Sequence, residues 1–458
     1  MQTSSRVIHV SALAMGIAGV LAFSPANASG FQIKENSVKA MGRAFAGSAA
    51  AAGDTSVVAN NPAAMSTFDK SALQVDVTVI DLSADFTGGG VAAAGSPLQQ
   101  SLTGSDGGNA GDTTPVPAMS AVFPIGDSGM TVGAMVSAPF GLKTEYDRGW
   151  VGRYTALTSD LKTIDLTLAA SFDFGSEVSM GVGLVYERAE ATLSKAIDFG
   201  SAICAANPLA CITPTPETAL FGPQKNDGQA EVTGSDNGIG WIIGMHIHPN
   251  EKTAIGISHR SEISHDLSGT ADFTVPPEVV AALGPLAPTD VPAFAPLTTP
   301  SVSTISVSYA ITDRFTLLGD VSLTGWDSLQ SVDIYRRDSN ALIASEEFDW
   351  EDTVFASLGA EFQLNDSFVL RGGVAMDQTP TNDEARTPRL PDEDRTWFSI
   401  GLTWMPSESW DVSAGYSYIK TDDPKINIQP SVGSSGSTLV GSYDASVNLF
   451  GVSAQYKF

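Results

Sequence analysis

Three kinds of residue in this chain have types and spacings that could do chemistry. Gly126-Asp127-Ser128-Gly129 resembles a loop presenting a nucleophilic serine. His246 and His248 alternate along an apolar run and would share one face of a strand, where two imidazoles could hold a metal. Arg153, Arg188, Arg371, Arg389 and Arg395 each carry a guanidinium fork able to clasp both oxygens of a carboxylate. Each option has a plainer alternative. The glycine-bounded tetrapeptide separates two apolar runs, which is tight-turn chemistry. No cysteine, histidine or carboxylate cluster at zinc spacing accompanies the two histidines. No serine and histidine pair falls at one membrane-facing rim, as a lipase barrel would need. An arginine among 51 acidic residues has many partners within its own chain. The expectation is a protein that is not an enzyme, with no metal and no cofactor.

The elements that would position these residues are strands. Residues 163–174 alternate without a fault: Ile164, Leu166, Leu168, Phe172 and Phe174 share one face with Ala170, while Asp165, Thr167, Ser171 and Asp173 lie on the other. Residues 354–364 repeat the pattern. About fourteen such segments follow one another, at 72–82, 116–125, 130–138, 162–174, 178–193, 237–248, 252–269, 301–311, 314–335, 348–364, 368–376, 396–405, 410–419 and 443–458. Short and long connections take turns between them. Tight turns fall at 126–129, 175–177, 249–251, 312–313, 365–367 and 406–409, and long ones at 83–115, 139–161, 194–236, 270–300, 336–347, 377–395 and 420–442. That rhythm is expected of an all-β, fourteen-stranded antiparallel transmembrane β-barrel with tight turns on the periplasmic side and loops outside. Arg371, between Leu370 and Gly372, would then face the lumen.

The remaining sequence fits an exported barrel. Residues 1–28 carry one basic residue, Arg6, then an apolar stretch from Val10 to Phe23 and Ala26-Asn27-Ala28, the pattern of a cleavable signal peptide. No later stretch offers the roughly 20 consecutive apolar residues of a spanning helix. A net charge of -27 argues against a nucleic-acid partner, which needs clustered cations. Residues 29–70 are rich in small side chains, lack strand alternation and end in the turn-forming run Asn60-Asn61-Pro62-Ala63, so they are expected to form an N-terminal hatch inside the barrel of residues 71–458. Cys204 and Cys211, the only cysteines, lie close together in a proline-rich loop of an exported chain and are expected to join as a disulfide. The final strand places Phe450, Val452, Ala454, Tyr456 and Phe458 on one face, suited to lipid.

Several stretches resemble the outer-membrane long-chain fatty-acid transporter family of FadL/TodX type. They are SGFQIKENS from Ser29, MGRAFAG, NNPAAM, PFGLKTEY, SHRSEISHDLSGTADF, SLTGWDSL, RTPRLPDEDRTWFSIG and the KIN after the thirteenth strand. The resemblance spans the chain from the hatch to the last residue and is weakest in the long loops. It implies a monomeric barrel of the bacterial outer membrane that passes long-chain fatty acids, or other hydrophobic small molecules such as aromatic hydrocarbons or alkanes, without energy input. Outer-membrane lipid is the other implied partner. It implies that Phe31 reaches into a ligand pocket, that Asn61, Pro62 and Ala63 belong to a hatch motif, and that Pro139, Phe140 and Gly141 mark a kink opening sideways into the membrane. The simpler reading of that last segment is that the third strand ends there. For a fatty acid, Arg371 and Arg153 are candidate carboxylate anchors, with Arg188, Arg389 and Arg395 behind them. The apolar segments 202–223 and 275–300 are candidate receiving surfaces or lids. A surface adhesin or structural barrel is the alternative of another class, and it would have no use for a filled lumen.

Overall fold

A computed structural model describes residues 30–175, 177–207, 211–212, 220–430 and 436–458. The expected signal peptide, 1–28, and Ser29 lie outside them. Fourteen strands close into one antiparallel barrel. They are β1 (Ala72–Gly89), β2 (Thr113–Pro124), β3 (Met130–Ser137 and Gly141–Glu145), β4 (Thr158–Asp173), β5 (Val178–Asp198), β6 (Asp227–Asn250) and β7 (Thr253–Arg260 and Ile263–Thr274). The circuit continues through β8 (Val291–Thr299 and Val302–Thr312), β9 (Phe315–Thr324 and Ser331–Arg336), β10 (Leu342–Glu347 and Thr353–Asn365), β11 (Phe368–Asp377), β12 (Arg395–Ser407), β13 (Trp410–Thr421) and β14 (Leu439–Lys457). Each strand pairs with the next, and every residue of β1 from Ala72 to Gly89 pairs with β14, which closes the sheet on itself. No described helix is long and apolar enough to cross a membrane.

Several strands outrun the segments of clear alternation. Strands β5 and β6 stay paired up to Asp198 opposite Asp227, although β6 was expected to begin at 237. Past the lipid, an outward side chain no longer has to be apolar, so the hydropathy pattern stops while the hydrogen-bond ladder continues. For the same reason the expected long connection at 270–300 shortens to 275–290. Val291–Thr299 is wall, not receiving loop, with Val291, Ala293, Ala295 and Leu297 buried in the lumen.

The outer face is the apolar one. Ile164 and Leu168 of β4 are 49% and 51% exposed, whereas Asp165 and Thr167 between them are buried in the lumen. Only lipid makes that inversion favourable.

Residues 30–71 fill the inside. Their short helices, Val38–Met41 and Val57–Asn60, are followed by a 3-10 turn at Pro62–Thr67. Ser37 caps the first helix through Ala40 N, and Asn61 caps the turn by accepting from Ala63 N at 3.1 Å. Docking to the wall is polar and specific. Lys39 pairs with Asp411 at 2.8 Å, Arg43 with Glu361 at 2.7 Å, and Asp320 accepts from Gly47 N at 2.6 Å. Asp76 accepts from Val38 N at 2.9 Å. Backbone meets backbone where the wall has no side chain: a Cβ on Gly401 would lie 2.8 Å from Gly42 Cα, and one on Gly373 would lie 2.3 Å from the Arg43 carbonyl group.

Leucine at both Gly401 and Gly373 is therefore expected to expel the hatch while the barrel closes, since overpacking costs about 1–3 kcal/mol per site. The measure is single-channel conductance in planar bilayers. The double variant should pass ions where the parent is nearly closed, and unchanged conductance would show that the contacts do not hold the hatch.

Candidate functional site

The third strand does not end at Pro139. It breaks over 138–140 and resumes at Gly141. A proline has no N–H to give a ladder, and its neighbours leave the sheet with it. Towards β4 the break stays sealed: Thr163 N donates to Phe140 O at 2.9 Å, and Phe140 N donates to Thr163 Oγ1 at 3.1 Å.

Towards β2 it is open. Pairing between β2 and β3 covers only Met119–Pro124 opposite Val136–Thr131, and the upper half of β3 pairs with β4 alone. Residues 113–118 of β2 therefore form an inner edge, bonded to β1 on one side only. Pro115 and Pro117 sit on this edge, where a residue without an N–H leaves no donor stranded. Glu145 N, donating to Ala110 O at 3.1 Å, and a Lys143–Asp112 ion pair close the gap above.

The first residues of the hatch shut the gap from inside. Ile33 N donates to Pro139 O at 2.7 Å, Gly141 N donates to Phe31 O at 2.9 Å, and Gln32 bridges Phe140. The arm thus supplies the partners that the break removed. Ile33 also fills the space left by Gly141, where a Cβ would lie 2.7 Å from Ile33 Cδ1.

Around the arm lies a cavity of about 700 Å³ that passes through the wall at the gap. Its inner lining includes Phe31, Leu390, Ile419 and Leu449; its outer lining includes the lipid-facing Val136 and Ile164. Glu35 lines it too, and burial pushes that carboxyl up to about 7, against the opposing pull of its own backbone hydrogen bond and Arg395.

Phe31 is buried among aromatic rings, with centroids at 4.7 Å from Trp326, 5.5 Å from Trp350 and 6.1 Å from Phe140. The run Asn60 to Ala63 lies below and docks the hatch. Asn61 Nδ2 donates to Ala49 O at 2.8 Å and Met245 O at 3.0 Å, the Ala63 backbone packs on Gly181, and Asn60 Oδ1 accepts from Asn36 at 3.0 Å. Pro62 opens the 3-10 turn.

Arg371 and Arg153 do not line the cavity. Arg371 shares Glu361 with Arg43, at 2.8 Å, near the tight turn before β11. Arg153 binds Asp227 at 2.8 Å and Thr103 O at 2.7 Å, clamping loops at the opposite end. Arg188 pairs with Glu190, Arg389 with Glu346, and Arg395 with Asp392 at 2.7 Å. Of the five, only Arg395 reaches the cavity. Their pairing follows from the acidic composition: a buried guanidinium takes the nearest carboxylate, because leaving it bare is costly.

Cys204 and Cys211 are joined, with Cα atoms 5.6 Å apart. Gly126 to Gly129 form the turn between β2 and β3, Ser128 Oγ donating to Ile125 O at 2.6 Å. His246 faces the hatch and contacts Ala50 O at 3.0 Å through Nε2. No metal-ligand cluster occurs among the described residues.

Two features escaped the sequence reading. Trp326 and Trp350 fall inside the expected strands 314–335 and 348–364, but both lie in insertions that interrupt β9 and β10, Trp326 in a 3-10 turn. The edge at Pro115 and Pro117 carried a local signal, since prolines two apart in a strand leave that side without ladder donors, but Pro115 fell in the expected connection 83–115 and the strand begins at Thr113.

The sequence profile described as outer membrane protein transport protein (OMPP1/FadL/TodX) matches residues 19–458. The long-chain fatty acid transport protein of Salmonella typhi is 27% identical over 426 residues, covering 92% of this chain and 93% of that protein. Among solved structures, a Pseudomonas aeruginosa FadL homologue superposes with a TM-score of 0.85 at 24% identity, over 94% of this chain and all (100%) of the other. The Pseudomonas putida toluene transporter TodX gives 0.67 at 14%, over 94% and 100%. At these identities the two structures bear on the fold alone.

Because the candidate arginines are already paired, apolar contact and not charge should govern binding in this cavity. Dodecanol and dodecanoate are expected to bind within about tenfold of each other, and each added CH₂ should tighten either by about fourfold, the equivalent of roughly 0.8 kcal/mol. Calorimetric titration of the purified protein is the check. A preference for the carboxylate above about a hundredfold, near the upper limit for a charged hydrogen bond, would contradict it.

Proposed function

Because this chain belongs to the outer membrane protein transport protein family (OMPP1/FadL/TodX), we propose that it takes up long-chain fatty acids passively and releases them sideways into the outer membrane between β2 and β3. The observation that carries the reading is the cavity of about 700 Å³ that joins the lumen to the lipid face where the β2–β3 ladder is missing. A long acyl chain gains about 0.8 kcal/mol per buried CH₂, which a water-filled pore cannot offer. An exit into lipid spares the chain an aqueous step. Movement of the arm is the gate, since its backbone closes the break and Ile33 fills the space beside Gly141.

A second reading, uptake of other hydrophobic compounds on the same scaffold, is favoured by the pairing of Arg395 with Asp392, which leaves the cavity no bare arginine for a carboxylate. A filled lumen argues against an adhesin. The protein is proposed to act as a monomer, without catalysis, on hydrophobic small molecules alongside outer-membrane lipid.

Cysteines at Gln32 and Phe140 test the route, because those positions bridge antiparallel with their ladder bonds on the flanking residues, a geometry of close Cα approach. Once oxidised, the Gln32→Cys, Phe140→Cys protein should lose oleate uptake by about tenfold or more and recover on reduction, as expected if the competent state must first release the arm. Unimpaired uptake by the stapled protein would rule out the arm as gate.

A further inference from the structure

The ring of Phe31 sits in its surroundings as a guest. Its box is built by segments other than the arm: the Trp326–Ser328 turn, the insertion carrying Phe348 and Trp350, and the break at Phe140. The walls hold one another, with Trp326 perpendicular to Trp350 at 4.9 Å and Phe348 against Trp350 at 5.3 Å. They are also fixed from outside, since Leu329 N donates to Trp326 O at 2.9 Å and Gln330 Nε2 donates to Trp350 O at 2.8 Å. Withdrawal of the arm would therefore leave an aromatic box standing.

Two polar features say what else belongs there. Gly30 O, the carbonyl joined to the Phe31 nitrogen, accepts from Arg395 Nη2 at 2.9 Å. Trp326 is fully buried, and its Nε1 has no hydrogen-bond partner among the described residues. Burying a donor unpaired costs about 1–3 kcal/mol, so an acceptor reaching it would be favoured. The box thus asks for an aryl ring with a carbonyl a few bonds away. The charge on that carbonyl compound is set by its neighbours. Arg395 already answers Asp392 at 2.7 Å and faces Asp377 at 4.0 Å, and Asp392 also accepts from Gly30 N at 3.0 Å and Thr379 Oγ1 at 2.7 Å. Glu35 lines the same cavity. A second anion would meet these carboxylates.

We propose that the box is a ligand subsite for neutral aryl-alkyl carbonyl compounds (amides, ketones or esters), and that Phe31 with the Gly30 carbonyl is its internal occupant. Three atoms, Cβ, Cα and N of Phe31, separate ring from carbonyl. N-phenethylacetamide has the same sequence of ring, two carbons, nitrogen and carbonyl. Such a compound displaces the arm by taking its place, so binding and gate release become one event. The proposal rests on the reading of the arm as gate and adds a second class of compound able to work it.

Calorimetric titration of the full mature protein, folded as judged by heat-modifiable migration, tests this with N-phenethylacetamide as probe. N-butylacetamide lacks the ring, butylbenzene lacks the carbonyl, and 4-phenylbutanoate carries a charge. The amide with the ring should bind about tenfold or more tighter than each of these, as expected from a few aromatic contacts and one hydrogen bond. Phe31→Ala should tighten it by about tenfold further, because the internal competitor is gone. Dodecanoate is titrated alongside. If dodecanoate binds while N-phenethylacetamide binds no better than N-butylacetamide, or while Phe31→Ala weakens it, the subsite is refuted and the uptake reading stands. If 4-phenylbutanoate binds as tightly as the amide, the restriction to neutral compounds is overturned. If neither dodecanoate nor the amide binds, the cavity reading falls and the subsite with it.

Discussion

Inside hydrocarbon a backbone amide has no water to bind, and each unpaired group costs several kcal/mol. The architecture follows from that constraint. Fourteen strands close because β14 meets β1 along its whole length. Where β2 and β3 part, the same constraint decides what stands there. The β2 edge carries Pro115 and Pro117, which have no N–H to strand, and the break in β3 borrows Thr163 on one side and the hatch arm on the other. The opening is therefore closed by hydrogen bonds that can be exchanged.

The hatch is held in two different ways. Its body, from Ser37 to Met65, is fixed by buried charges and close backbone contacts: Lys39 to Asp411, Arg43 to Glu361, Gly42 against Gly401. Removing one partner of a buried pair leaves an uncompensated charge at about 3–5 kcal/mol, so the body is expected to stay. The arm ahead of it is attached by backbone hydrogen bonds, the contacts of Gly30 and the ring of Phe31. A ligand can replace contacts of that kind with its own. The division gives the proposed gate its hinge, between residues that a ligand can displace and residues it cannot.

The acidic composition shapes the site as much as the apolar residues do. With 24 lysines and arginines against 51 carboxylates, each candidate arginine is taken by a partner in its own chain. These cations hold loops and hatch in place, and the cavity is left to discriminate by shape and apolar contact. That accounts for the closeness of the two functional readings, since a fatty acid and a neutral hydrocarbon offer such a cavity similar surfaces.

How much was legible in the residues divides along the range of the forces. Alternation along 163–174 and 354–364 set which side chains meet lipid, and the rhythm of tight turns and loops set the barrel and its strand number, because both depend on neighbours two residues apart. Pro139 marked the place of the break for the same local reason, a missing N–H. The ends of β5 and β6 were not legible, since above the membrane no hydropathy pattern is required of a paired strand. Nor was the box around Phe31. Trp326, Trp350 and Phe140 are brought to that ring by the closure of the barrel, across spans of sequence that no periodicity connects. The choice of carboxylate for each arginine was likewise left to the fold, because the chain offers two acids for every base and only proximity selects among them.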